Sequence, residues 1–224
     1  MNDDAATDLL IKEVDEDLRQ DELTRLWQKH GGLLIGGAIL LVLSVAGWQG
    51  WNSWELKQRQ DASLRYAESV ALIEQGRRDE AAEMLGKQAG GSIMGYRILA
   101  EMRLADLRLQ QNDQAGAVAI FQRIAADSGV DKVYRDMAAI RAAYLTVDSG
   151  DPAAIEKAME PLAVESSSWR HSAREIQALA ALRRGDAVRA GELFAKVAED
   201  AAAPQGLRTR AAEMLAATGQ RARS

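Results

Sequence analysis

The chain has 224 residues, of which 47% are apolar and 5% aromatic, with three prolines and no cysteine. That length suits one domain or two small ones with a buried core. The absence of thiols excludes disulfides, thiol catalysis, cysteine-based zinc sites and a lipidated N-terminal cysteine. The net charge of −5 resides in residues 1–30, which hold nine acids and four bases, whereas residues 55–224 carry 24 of each sign. The C-terminal part therefore has no basic field of the kind that binds phosphate backbones, so nucleic acid is not an expected partner. Ala, Leu, Glu, Gln and Arg recur throughout; they lose little rotamer freedom in a helix, and β-branched residues are the minority, which points to an all-α chain.

In chain order, residues 1–30 form an acidic segment with Leu10, Val14, Leu18, Leu23 and Leu26 at helical spacing. The pattern predicts an amphipathic helix capped at Thr7 or Asp8 and solvated on a very acidic outer face. Docking on a basic protein is the other reading of this segment.

Residues 31–54 contain no charged side chain. About 20 apolar residues at roughly 1.5 Å rise cross a hydrocarbon core of about 30 Å, so this stretch predicts a transmembrane helix. Trp48, Trp51 and Trp54 form an aromatic belt at its C-terminal edge, and Trp27 suits the opposite interface. Gly32 and Gly36, spaced Gly-x-x-x-Gly, are candidates for close contact with another transmembrane helix. A cleaved signal peptide is the rival reading, with Ser44-Val45-Ala46 as its small-residue site and Gly47 as the mature N-terminus. Against it stands the long acidic segment ahead of the apolar run, where signal peptides carry a short basic one. Arg19, Arg25 and Lys29 on one side balance Lys57, Arg59 and Arg65 on the other, so positive charge does not orient the span.

Beyond the span a pattern recurs. A Gly or Asn turn is followed by a small or apolar residue five on, a large apolar residue nine on, and apolar residues at twelve or thirteen. It reads Gly76, Ala81, Leu85, Ala89; then Asn112, Ala117, Phe121, Ile124; then Gly150, Ile155, Met159, Leu162; then Gly185, Ala190, Phe194, Val197. These turns are separated by 36, 38 and 35 residues, and Gly219 follows at 34. Seven residues before each stands Ser69, Ala105, Ala143, Ala178 or Ala212. A small side chain there lets two helices cross closely, and Gly or Asn at the turn permits the left-handed backbone that ends the first helix. The reading is a tetratricopeptide-like α-solenoid over 55–218, of about four helix pairs plus a capping helix begun near Pro204, with a flexible tail at 219–224. A plain helical bundle fits the even spacing less well.

Sites for chemistry are sparse. His30 and His171 are the two histidines and form no metal-ligand pair; Ser168 suits a helix N-cap better than a nucleophile; no Gly-rich loop joins a strand to a helix. No enzymatic activity, cofactor, metal or small-molecule substrate is expected. Helix-pair arrays instead make a concave groove lined by the first helix of each pair. Tyr66, Met102, Asp106, Tyr144 and Glu175 are its candidate residues by register.

The segments Glu13-Val-Asp-Glu-Asp-Leu-Arg19, Leu26-Trp-Gln-Lys-His-Gly31, Ala46-Gly-Trp-Gln-Gly-Trp51, Trp169-Arg-His-Ser-Ala-Arg-Glu175 and Ala203-Pro-Gln-Gly-Leu-Arg208 together resemble the ancillary Sec translocon subunit family of bacterial inner membranes. The resemblance implies a single-pass inner-membrane protein with a cytoplasmic N-terminal tail and a periplasmic repeat domain. It implies attachment to the Sec translocon and handover of exported polypeptides to periplasmic chaperones. Two other functions suit the residues alone. One is a periplasmic coordinator of the cell envelope or of division; the other is a cytoplasm-facing regulator that sequesters a signalling protein.

Overall fold

The computed structural model describes the backbone of residues 3–221 and the side chains of residues 27 and 29–219. Two compact units divide the chain, Met1–Gln60 and Asp61–Ser224. Among the described residues there are helices and no strand, as the composition requires.

Helix α1, Asp3–Glu74, runs for 72 residues and supplies all of the first unit that is described. It already begins at Asp3, so Thr7 and Asp8 lie inside it instead of capping it. The side chains of the acidic segment lie outside the described residues, including Leu10, Val14, Leu18, Leu23 and Leu26. Over 31–54 the helix is long and apolar enough to cross a membrane. A core helix of a soluble protein would bury its large side chains, but Leu33, Leu40, Leu41 and Leu43 all stand exposed. Ser44, in the middle of this stretch, donates to the Leu40 carbonyl at 2.8 Å, so it carries no unmet hydrogen bond into an apolar surrounding.

The second unit contains the end of α1 and eight further helices. They are α2 Arg78–Ala89, α3 Met94–Gln110, α4 Gln114–Ala126, α5 Lys132–Thr146, α6 Pro152–Met159, α7 Arg170–Arg183, α8 Ala187–Ala198 and α9 Gln205–Arg221, with a 3-10 turn at Glu160–Leu162 after α6. Paired as α1/α2, α3/α4, α5/α6 and α7/α8 and closed by α9, they are the expected four helix pairs with a cap. Each of α3, α5 and α7 is a wall shared by two cores. Ala100 faces the core of α1, α2 and α3, where Leu72, Leu85 and Leu107 meet; Ala105 faces that of α3, α4 and α5, around Ile98, Phe121 and Ile124. Ala138 and Ala143 of α5, and Ala173 and Ala178 of α7, divide in the same way between the cores before and after them. The helices come close because these positions have almost no side chain.

Left-handed residues end three of the four first helices: Gly76 with φ 79°, Asn112 with φ 59° and Gly185 with φ 81°. In each, the next N–H reaches back five residues, from Arg77 to Leu72, Asp113 to Arg108 and Asp186 to Ala181, which satisfies a carbonyl that the ended helix leaves open. The third turn differs. α5 stops at Thr146, and Gly150 packs so tightly that a β-carbon would stand 3.0 Å from the Thr146 carbonyl oxygen and 3.1 Å from Ile155 Cδ1. Crowding, and not a left-handed backbone, favours glycine there. The second helices then begin on an aspartate: Asp113 accepts from Gly116 N, Asp151 from Ala153 and Ala154 N, and Asp186 from Arg189 N. In the first pair Arg77 holds this place without a side-chain cap, and its guanidinium pairs with Glu80.

Three expectations are corrected. α7 is capped at Trp169, with Ser167 Oγ accepting from the Trp169 N–H at 3.1 Å; Ser168 does not cap it. Gly219 is no turn but lies inside α9, which runs on to Arg221, so the tail placed at 219–224 is helical that far; residues 222–224 lie outside the described residues. The buried alanine of α9 is Ala211, at 0% exposure, while Ala212 is exposed. The last helix buries one face only, so its register follows α8 and not a turn ahead.

Removing one cap tests this account. Asp186→Ala should cost about 1 kcal/mol in denaturant unfolding of the detergent-solubilised chain, whereas Asp186→Asn, which also accepts, should cost a few tenths at most. Gly185→Ala should cost roughly 1–2 kcal/mol, because alanine is strained at that φ.

Candidate functional site

The first helices, residues 61–74 of α1 with α3, α5, α7 and α9, stand in a row, and polar side chains link them. Asp106 of α3 accepts from Arg141 Nη2 of α5, and the same guanidinium lies 4.3 Å from the centroid of the Phe121 ring, a favourable cation–π distance. Tyr144 of α5 donates to Glu175 Oε2 of α7 at 2.5 Å. Arg210 of α9 grips both Glu175 oxygens, at 2.9 and 3.0 Å. Glu175 is only 4% exposed, so its charge depends on these partners. Burial first, and the Glu175 carboxylate next, push the Tyr144 phenol up, so it remains a donor. The hydrogen bonds to Glu175 likewise raise Arg210.

The candidate groove residues thus fall into different surroundings. Asp106, Tyr144 and Glu175 belong to the polar links: Tyr144 and Glu175 bind one another, while Arg141 on Asp106 and Arg210 on Glu175 come from outside the predicted set. Tyr66 is half-buried, its ring 6.2 Å from that of Tyr96. Met102 packs in the core with Ile98, Ala105 and Phe121. The arginines Arg141 and Arg210 went unread in the sequence, although a signal existed: each lies 35 residues after the carboxylate it binds, about one repeat on.

In the first unit Trp27, Trp48, Trp51 and Trp54 are all more than half exposed, with the Trp51 and Trp54 rings 5.4 Å apart. Gly32 and Gly36 have no atom within 4 Å of where a β-carbon would sit, so their backbone is open to close approach. Gly31 is different: a β-carbon there would meet the Trp27 ring at 3.4 Å.

A second polar cluster joins α7 to the segment after α8. His171, 5% exposed, places Nε2 at 2.7 Å from Asp200 Oδ2, with Arg170 Nη2 at 3.5 Å from the same oxygen. The His171 hydrogen bond and the Ala202 N–H hold the Asp200 carboxyl down at about 2. Among the described residues no group of His, Cys, Asp and Glu is arranged to hold a metal ion.

Residues 24–205 match the family described as a tetratricopeptide repeat-like domain. The chain belongs to that family. It is also 27% identical over 168 residues to the ancillary SecYEG translocon subunit of Escherichia coli (strain K12), covering 74% of this chain and 79% of that protein. The resemblance read from the juxtamembrane and repeat residues is borne out by this match, as is the all-α tetratricopeptide-like fold. The family match begins at residue 24, so it takes in the apolar stretch of α1 together with the repeats.

Two outcomes are expected. Arg210→Ala should destabilise the chain by about 1–3 kcal/mol, since it strips a buried carboxylate of its charged partner, and Tyr144→Phe by about 1 kcal/mol; urea unfolding would rank them. A carboxyl held below its ordinary value of about 3.9 lends stability above that pH and loses it as pH falls toward about 2. Thermal melts of Asp200→Asn should therefore lie closer to wild type at pH 2 than at pH 6.

Proposed function

We propose that this chain is a non-enzymatic scaffold of the bacterial inner membrane, crossing once through residues 31–54, with its N-terminal tail cytoplasmic and its repeat domain periplasmic. There the first-helix face binds exported polypeptides or their chaperones beside the Sec translocon and assists handover. The observation that carries this reading is the joint reach of the comparisons. One family match runs through the apolar helix and the repeats, and the relative, named as an ancillary translocon subunit, aligns over 74% of this chain. Tetratricopeptide-like arrays bind proteins through faces built from helix pairs, and the family is typically non-catalytic. The exposed tryptophans support anchoring at the two interfaces. The open Gly32 and Gly36 support packing against a partner's transmembrane helix.

A reporter enzyme active only in the periplasm, fused after Ser224, should be active; activity only of a cytoplasmic reporter overturns the orientation. Photocrosslinkers placed at Tyr66 or Leu99 in living cells should capture translocon components, exported chains or periplasmic chaperones. Gly36→Leu should reduce co-purification of translocon subunits while leaving the thermal melt of the repeat domain unchanged. Capture of none of these proteins sinks the proposal.

A further inference from the structure

Arg103 and Arg141 occupy the same place in successive first helices, two residues before the small crossing residues Ala105 and Ala143. Arg141 has partners: it binds Asp106, the residue just after the previous crossing residue, and lies over Phe121. One repeat earlier the place of Asp106 is held by Val70, just after Ser69. Arg103 accordingly has no carboxylate within ion-pair distance among the described residues, and its Nε is buried without a hydrogen-bond partner. Arg97 and Arg170 also leave Nε unpartnered, but their terminal nitrogens reach Asp127 and Asp200. Arg103 is thus distinguished by lacking a carboxylate as well. The Nε lies beneath the surface, whereas the terminal nitrogens of Arg103 are neither hydrogen-bonded nor among the buried unpaired atoms of the described residues, and so stand open to a ligand. Guanidinium–carboxylate pairs are among the stronger hydrogen-bonded contacts.

One turn before Arg103 on the same face of α3 stands Leu99, 38% exposed. Apolar surface and an unpaired guanidinium therefore lie side by side. From this arrangement we propose that Leu99 and Arg103 form a ligand subsite on the first-helix face, which takes a polypeptide segment presenting a large apolar side chain next to a carboxylate. The carboxylate fills the place that Asp106 fills for Arg141. It comes from an Asp or Glu side chain or from a chain terminus, which offer the same chemistry. This inference rests on the reading of the first-helix face as a polypeptide-binding surface.

The test uses the full chain in detergent micelles and fluorescein-labelled hexapeptides followed by anisotropy. The probes are Gly-Ser-Leu-Ala-Glu-Ala-amide, its Gln-for-Glu analogue, and Gly-Ser-Ala-Ala-Ala-Leu with a free C-terminus. Wild type should bind the Glu peptide about tenfold more tightly than the Gln peptide, the value of one charged hydrogen bond. Arg103→Gln should abolish that preference. The third probe decides whether a terminal carboxylate serves as well as a side chain. Val70→Asp is the second variant: it installs the missing carboxylate within the chain. It should raise Tm by about 2–4 °C, as one regained ion-pair hydrogen bond would in a chain of this size, and also abolish the preference. Equal binding of the Glu and Gln peptides by wild type, no binding of any probe, or an unchanged preference in Arg103→Gln overturns the proposal. So does a Val70→Asp variant that is no more stable. If crosslinking in cells still captures translocon components while the acidic preference is absent, this subsite fails and the scaffold reading stands. Acidic preference without such capture leaves the subsite standing and sinks the scaffold reading.

Discussion

Each inner first helix of the repeat domain, α3, α5 and α7, must bury two faces at once, one against the pair before it and one against the pair after it. Alanine makes that possible. Ala100 and Ala105, Ala138 and Ala143, Ala173 and Ala178 stand five residues apart on opposite sides of α3, α5 and α7. A larger residue at any of them would push two helices apart and open both neighbouring cores, because interiors packed at crystal-like density have little room to give. Larger side chains then fill the space between, with Leu85, Phe121, Met159 and Phe194 of the second helices all at 2% exposure or less. The ends obey the same constraint differently. α9 has no pair after it and buries Ala211 and Thr218 on one face, whereas α1 carries Leu64, 68% exposed, where α3, α5 and α7 have a fully buried alanine.

Once the spacing of first helices is set, polar residues on them meet one repeat apart. That juxtaposition links Asp106 to Arg141 and Glu175 to Arg210, and its absence at Val70 leaves Arg103 without a partner. Buried carboxylates elsewhere follow the rule that charge is buried only when paired: Glu156 holds both Arg184 and Arg189. The protein-binding role proposed for the first-helix face thus draws on the same regularity that packs the core.

How far this was legible depended on which interaction sets each feature. The turns at Gly76, Asn112 and Gly185 and the cores behind them were readable because a repeat period constrains backbone and packing together. The aspartate after three of the four turns was equally visible, yet periodicity of apolar residues alone passes over it. Ser168 is not the cap because α7 starts one residue later, on Trp169, with no side-chain cap, and the serine oxygen that accepts at this turn is that of Ser167. Gly219 misled because a closing helix has no successor to fix its register. Within the predicted groove set, Met102 and Asp106 are four residues apart on one helix face, but one packs into the core and the other pairs across to α5. Spacing alone does not distinguish these. Nor could spacing show that Arg103 lacks a partner, which depends on what stands on a neighbouring helix.

The short reach of these contacts has a consequence for how the domain is made. Side-chain hydrogen bonds among the described residues extend at most 36 residues along the chain, from Arg183 to Val147, and each core is assembled from successive helices. Topologies of this kind fold quickly because little loop entropy is lost before contacts form. Each helix pair can therefore settle against its predecessor soon after it emerges, in order from α1 toward α9. A domain delivered through a narrow pore, end first, would never need to wait for its last residue to begin folding.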